Sequence, residues 1–124
     1  MKFDHVAVRV DDIDAAIKFY ESVAGLKVIR RSQNPAWGIE VAFLDDGKTD
    51  EKVELIHWIG DGPFKEHVAH LGMQVENMDE ALAAVAKFGA TLHFGPLSLP
   101  SSPGRLAMAK IPSSDLLVEF IERR

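Results

Sequence analysis

The chain has no cysteine, which removes a disulfide framework and a thiol nucleophile and suits a reducing compartment. It has no basic excess either. Fourteen Lys and Arg stand against 19 Asp and Glu, a formal charge of −5, so nothing in the charge balance prepares it for nucleic acid. The basic pairs Arg30-Arg31 and Arg123-Arg124 are too small to alter that. No apolar run approaches the ~18 residues of a membrane span. Aromatic residues are few, at 8%, with one tyrosine. The remainder, 124 residues with 47% apolar and 27% charged side chains, reads as one globular domain, residues 1–124, large enough for its own core. Met1 to His5 already reads as a strand, so the expectation is a cytoplasmic protein with no membrane or nucleic-acid partner.

What is present is a repeat. His5 and Glu54 are 49 residues apart, and so are His70 and Glu119, with a shift of 65 carrying the first pair onto the second. The flanks follow: His5-Val6-Ala7-Val8-Arg9-Val10 lies over His70-Leu71-Gly72-Met73-Gln74-Val75, and Val53-Glu54-Leu55-Ile56 over Val118-Glu119-Phe120-Ile121. Each half needs the other to bury its face, as in other duplicated units.

Phe3–Val10 alternates as a strand, with Val6, Val8 and Val10 on one face and His5, Ala7 and Arg9 on the other. Asp11 or Asp12 caps a helix in which Ile13, Ala16, Ile17, Tyr20 and Val23 recur at three-and-four spacing, and Gly25 ends it. Strands follow at Leu26–Arg31, Ile39–Leu44 and Lys52–Trp58. Gly60-Asp61-Gly62-Pro63 joins the modules, about 1–60 and 65–124. The order then restarts: strand His67–Val75, helix Met78–Phe88 closed by Gly89, and strands Ala90–Phe94, Leu106–Ile111 and Leu116–Glu122. Gly95 to Gly104, with three prolines and three serines, reads as a connecting loop and a candidate lid. The expected fold is α+β, two βαβββ modules forming a curved mixed sheet around a metal-binding cleft.

Parity places the chemistry. His5, Glu54, His70 and Glu119 each fall on the strand face opposite the apolar stripe meant for the helix. Two imidazoles and two carboxylates make a first shell for a divalent first-row ion, and the ligand types do not choose among metals. His57, His67 and His93 have no counterpart under the shift and read as surface or packing residues.

These stretches resemble the vicinal oxygen chelate superfamily, which includes glyoxalase I, methylmalonyl-CoA epimerase, extradiol dioxygenases and the bleomycin and fosfomycin resistance proteins. The resemblance covers the whole chain. A fourth ligand at Glu54 is similar to the branch with glyoxalase I and the epimerase, and Ser32-Gln33-Asn34-Pro35-Ala36-Trp37 with Val41-Ala42-Phe43-Leu44 resembles glyoxalase I in particular. The resemblance implies one divalent ion per site (Ni, Zn, Co or Mn) held by His5, Glu54, His70 and Glu119. It implies Glu119 and Glu54 as the catalytic carboxylates, and Arg9 and Arg105 as contacts to a small-molecule substrate. It also implies a homodimer. The activity implied is isomerisation of a 2-oxoaldehyde–thiol hemithioacetal, such as that of methylglyoxal, to a 2-hydroxyacyl thioester. Two alternatives carry other implications: an epimerase with a separate base, for which Glu40 is the candidate, and a metal-free drug-binding protein. Two departures bear on the thiol rather than the metal. Trp58 stands where glyoxalase I has an Asn, and Ile111-Pro112-Ser113-Ser114-Asp115 replaces its Asp-Pro-Asp-Gly turn.

Overall fold

The computed structural model describes residues 1–61, 69–99 and 103–122. Its chain divides into two compact units, one of His5–Ala69 and one of Met1–Asp4 with His70–Arg124. Each is a helix on a four-stranded mixed sheet.

The first unit runs β1 (Lys2–Arg9), α1 (Ile13–Val23), β2 (Lys27–Asn34), β3 (Ile39–Asp45) and β4 (Lys52–Trp58). Its strand order is β2-β3-β4-β1, with β1 parallel to β4 and the other pairs antiparallel. Asp12, not Asp11, caps α1: its extended backbone lets the carboxylate accept from the Ala15 N–H at 3.0 Å. Ile13 and Ile17 point inward onto Ala42, Leu44 and Leu55, and Val10, Ala16, Tyr20, Val28 and Val53 complete that cluster. A second cluster lies on the opposite face of the sheet, where Ala7, Ile39 and Ile56 pack with Trp37, Val41 and Trp58. The β2–β3 turn closes through Asn34, which accepts from the Trp37 N–H through both its carbonyl and its side chain.

The second unit adds β5 (His70–Val75), α2 (Met78–Phe88), β6 (Leu92–Ser98), β7 (Arg105–Lys110) and β8 (Leu117–Glu122), in the order β5-β8-β7-β6. Here β5 and β8 are parallel and the other pairs antiparallel. Asn77 caps α2 through the Glu80 N–H, and Gly89 ends it in the left-handed region, at φ 87°. Val75, Met78, Ala81, Ala107, Ala109 and Phe120 form the core between α2 and the sheet.

The two βαβββ orders match expectation, and two details do not. Val8 is 37% exposed and absent from the helix-side cluster, and the buried residues of β1 are Asp4, His5 and Ala7. Gly95–Ser98 is not loop: β6 continues through it, pairing Leu97 with Leu106 and Ser98 with Arg105 after a register shift. The Gly-Pro pair conceals this in the sequence. Gly95 (φ 94°) is required there, because a Cβ would come 2.8 Å from the Leu106 carbonyl oxygen. The start of the expected strand, with His67, lies outside the described residues, as does the 100–102 stretch of the candidate lid.

Candidate metal centre

In the first unit, cross-strand register sets the site-bearing face. Glu54 lies beside Ala7 of β1 on one side and Phe43 of β3 on the other. Residues directly opposite on neighbouring strands share a face, so His5, Ala7 and Arg9 line up with Glu54, Ile56 and Trp58. The His5 Nε2 is 3.4 Å from a Glu54 carboxylate oxygen, and the imidazole is 1% exposed. Phe43 meets His5 edge-on, with centroids 5.9 Å apart and planes at 87°. Arg9, four residues along from His5, lays its guanidinium over the Trp58 ring at 3.7 Å and reaches Asp11 at 3.3 Å.

Glu40 has the other parity. It sits across from His57, on the face of Ala42 and Leu44 that packs on α1. Its carboxylate is held by Arg31 at 3.3 Å, with the His57 Nδ1 at 3.7 Å, and Arg31 also pairs with Asp14 of α1 at 2.7 Å. Hydrogen bonds to Asp14 and then Glu40 push the Arg31 guanidinium above its usual value. Glu40 is therefore turned away from His5 and Glu54. The β3 residues of the other parity are Ile39, Val41 and Phe43, with Asp45 at the end of the strand.

In the second unit the register repeats with other neighbours. Glu119 lies beside Gly72 of β5 and Met108 of β7. The His70 Nε2 is 3.6 Å from a Glu119 carboxylate oxygen, and both residues are buried, at 3% and 8% exposure. Arg105 goes to the opposite face. Its guanidinium binds Glu122 at 3.2 and 3.4 Å and approaches Asp79 of α2 at 3.5 Å, contacts that push it above its usual value, Glu122 most of all. The sequence reading gave Arg105 a substrate contact, but the structure does not bring it to the Glu119 face.

Glu122 itself was missed. It is 1% exposed, and its carboxylate accepts from the Met78 N–H at 2.7 Å, so a buried anion caps the first turn of α2. Its parity with Val118 and Phe120, and its place across β7 from Arg105, were the available signals.

His5, His70 and Glu119 are thus buried, ligand-type side chains, and Glu54, beside His5, is 12% exposed. The donor set fits a divalent ion. Two ligand atoms each ~2.1 Å from one ion, at octahedral to tetrahedral angles, lie roughly 3.0–3.4 Å apart. The His5–Glu54 spacing falls at the end of that range and the His70–Glu119 spacing just beyond it.

Residues 4–122 match the model of the Glyoxalase/Bleomycin resistance protein/Dioxygenase superfamily. The chain belongs to that superfamily. It is 30% identical to a lactoylglutathione lyase of Haemophilus influenzae, over all of this chain and 94% of that protein. It is also 30% identical to the human mitochondrial methylmalonyl-CoA epimerase, over 69% of this chain and 53% of that one. Among solved structures, a hypothetical protein of Bacillus halodurans matches with a TM-score of 0.82 at 23% identity, covering 99% of this chain and 94% of the other. That likeness extends one superfamily fold over both units. The superfamily includes enzymes of the lyase and the epimerase type, and relatives of both kinds lie at similar identity.

Proposed function

We propose that the protein is a metal-dependent lyase of the glyoxalase I type, converting a 2-oxoaldehyde–thiol hemithioacetal into a 2-hydroxyacyl thioester. In this reading His5, Glu54, His70 and Glu119 together hold one divalent ion, Ni, Zn, Co or Mn. What carries the reading is the pairing of a buried imidazole with a carboxylate in each unit, at 3.4 and 3.6 Å, in a chain related to lactoylglutathione lyases over its full length. A bound ion would supply Lewis-acid stabilisation to the neighbouring oxygens of the substrate.

The chain's own residues move the proton. Glu119 takes it from the carbon that bears the sulfur, the electron pair is delocalised as an enediolate, and the carboxylic acid returns the proton to the adjacent former carbonyl carbon. Glu54, toward the opposite substrate face, stays in place as a ligand. Arg9, held flat on Trp58, offers its charge to an anionic end of the thiol. Its Cα lies about 13 Å from that of His5, four strand residues away, which suits an extended thiol rather than a small one.

The epimerase reading is second. It needs a base besides the ligands, and Glu40, the candidate, faces α1 and is occupied by Arg31. The metal-free binding reading leaves two matched His–Glu pairs without a role. The protein is taken as a homodimer acting in the cytoplasm on a small molecule. Its described helices include none long and apolar enough to cross a membrane.

The test is a panel of thiols mixed with methylglyoxal and nickel- or zinc-loaded protein, with thioester formation followed by absorbance. Turnover with at least one thiol is expected. Its absence, alongside epimerisation of a 2-methyl-branched acyl thioester, would replace this reading with the second.

A further inference from the structure

The two His–Glu pairs occupy equivalent positions, yet their side walls differ in kind. Phe43 and Met108 are counterparts under the 65-residue shift, each directly across the sheet from its carboxylate, Glu54 or Glu119. On the other flank, Ala7 and Gly72 are counterparts. A phenyl ring is rigid, and this one also meets the His5 imidazole edge-on. It therefore confines both members of its pair. A thioether chain has three rotatable bonds and yields to a neighbour, and glycine presents no side chain at all. Met108 is buried, so its adaptability is directed at its neighbours rather than at solvent.

We infer that Phe43 and Met108 are positioning residues that divide the labour between the two carboxylates: Phe43 pins Glu54 and His5 as fixed ligands, and the Met108–Gly72 flank leaves Glu119 room to swing between ion and substrate. The inference rests on the proposed lyase and metal reading and deepens it. It locates the choice of base in the walls, because the two pairs are otherwise alike in residue type, spacing and distance. A base must move by an ångström or so to exchange a proton, whereas a permanent ligand gains affinity from being held still.

The experiment uses full-length protein stripped of metal and reloaded with nickel, comparing wild type with Phe43→Leu, Met108→Phe and Met108→Ile. Nickel affinity by calorimetry is the readout independent of turnover; kcat and KM with methylglyoxal and the best thiol are the other. Phe43→Leu is expected to weaken nickel binding by roughly tenfold or more, within the range for losing a group that orients a ligand. Met108→Phe is expected to leave affinity within about threefold while kcat falls about tenfold at unchanged KM. Met108→Ile, close in volume and stiff at χ1, is the variant that decides if the phenylalanine is not accommodated, and it should show the same split in weaker form. Equal effects of the Phe43 and Met108 variants on both readouts would overturn the inference and leave the metal reading intact. Wild-type protein that takes up no nickel would sink the metal reading itself, and this inference with it.

Discussion

The first unit holds its His–Glu pair between hard walls and the second between soft ones. Both faces carry a branched aliphatic pair, Val41 and Ile56 in the first and Leu106 and Ile121 in the second, but Phe43, Ile39 and two tryptophans join it beside His5 and Glu54, whereas Gly72, Gln74 and Met108 join it beside His70 and Glu119. Their helix ends differ in the reverse sense. The N-terminus of α1 has Asp12 as its side-chain cap, but that of α2 has Asn77 and, in addition, the buried carboxylate of Glu122 braced by Arg105. The two halves keep a His–Glu pair at matched positions and differ in what surrounds it; in the proposed reading the first half is the rigid holder and β8 of the second carries the mobile base.

The sharpest way to break this comparison is to neutralise the two carboxylates in turn. Glu119→Gln should lower kcat by about a thousandfold or more, the scale of losing a catalytic base, while reducing nickel affinity only in part. Glu54→Gln should weaken nickel binding more than Glu119→Gln does. Steady-state kinetics and calorimetry on both variants check this, and identical profiles would erase the distinction between the units.

A smaller effect is expected at the helix ends. Glu122→Ala removes a buried anion from the Met78 N–H and from Arg105 and should cost about 3 kcal/mol, against about 1 kcal/mol for Asp12→Ala. Urea unfolding of the two variants gives the comparison directly. Equal losses would show that the second anchor of α2 adds nothing.

The smallest effect concerns the β3–β4 turn of the first unit. Asp46 accepts from the Lys48 and Thr49 N–H groups, and these bonds hold its carboxyl below its usual value. A depressed carboxyl contributes stability that is present above the unfolded value and is lost as pH falls through the folded one. The Tm difference between wild type and Asp46→Ala should thus be constant near neutrality and shrink below about pH 4. The second unit, whose β7–β8 turn has Ser113 and Ser114, should show no matching pH dependence when Ser114 is replaced by Ala.

Much of this was legible in the sequence, because period-two alternation is strict. The face of a strand is settled once one residue is placed, so the His and Glu parities could be read in advance; three-and-four spacing marked both helices, with Gly89 closing α2 and the cap of α1 left between Asp11 and Asp12. The same parity rule also held information that went unused. Arg105 alternates with Ala107 and Ala109, and Glu40 with Ala42 and Leu44, which assigns both to the helix face and to salt bridges there. What could not be read was cross-strand adjacency. That Phe43 stands beside Glu54, that Arg9 stacks on Trp58, and that β6 resumes after Gly95-Pro96 depend on register, which hairpin geometry and bulges decide.

The central claim, that both His–Glu pairs close on a single ion, is tested most directly by titrating metal-stripped protein with nickel in a calorimeter, alongside His5→Ala and His70→Ala. The account predicts one tight site per chain, with affinity collapsing in either variant. Two independent sites per chain, each lost in only one variant, or no site at all, would contradict it.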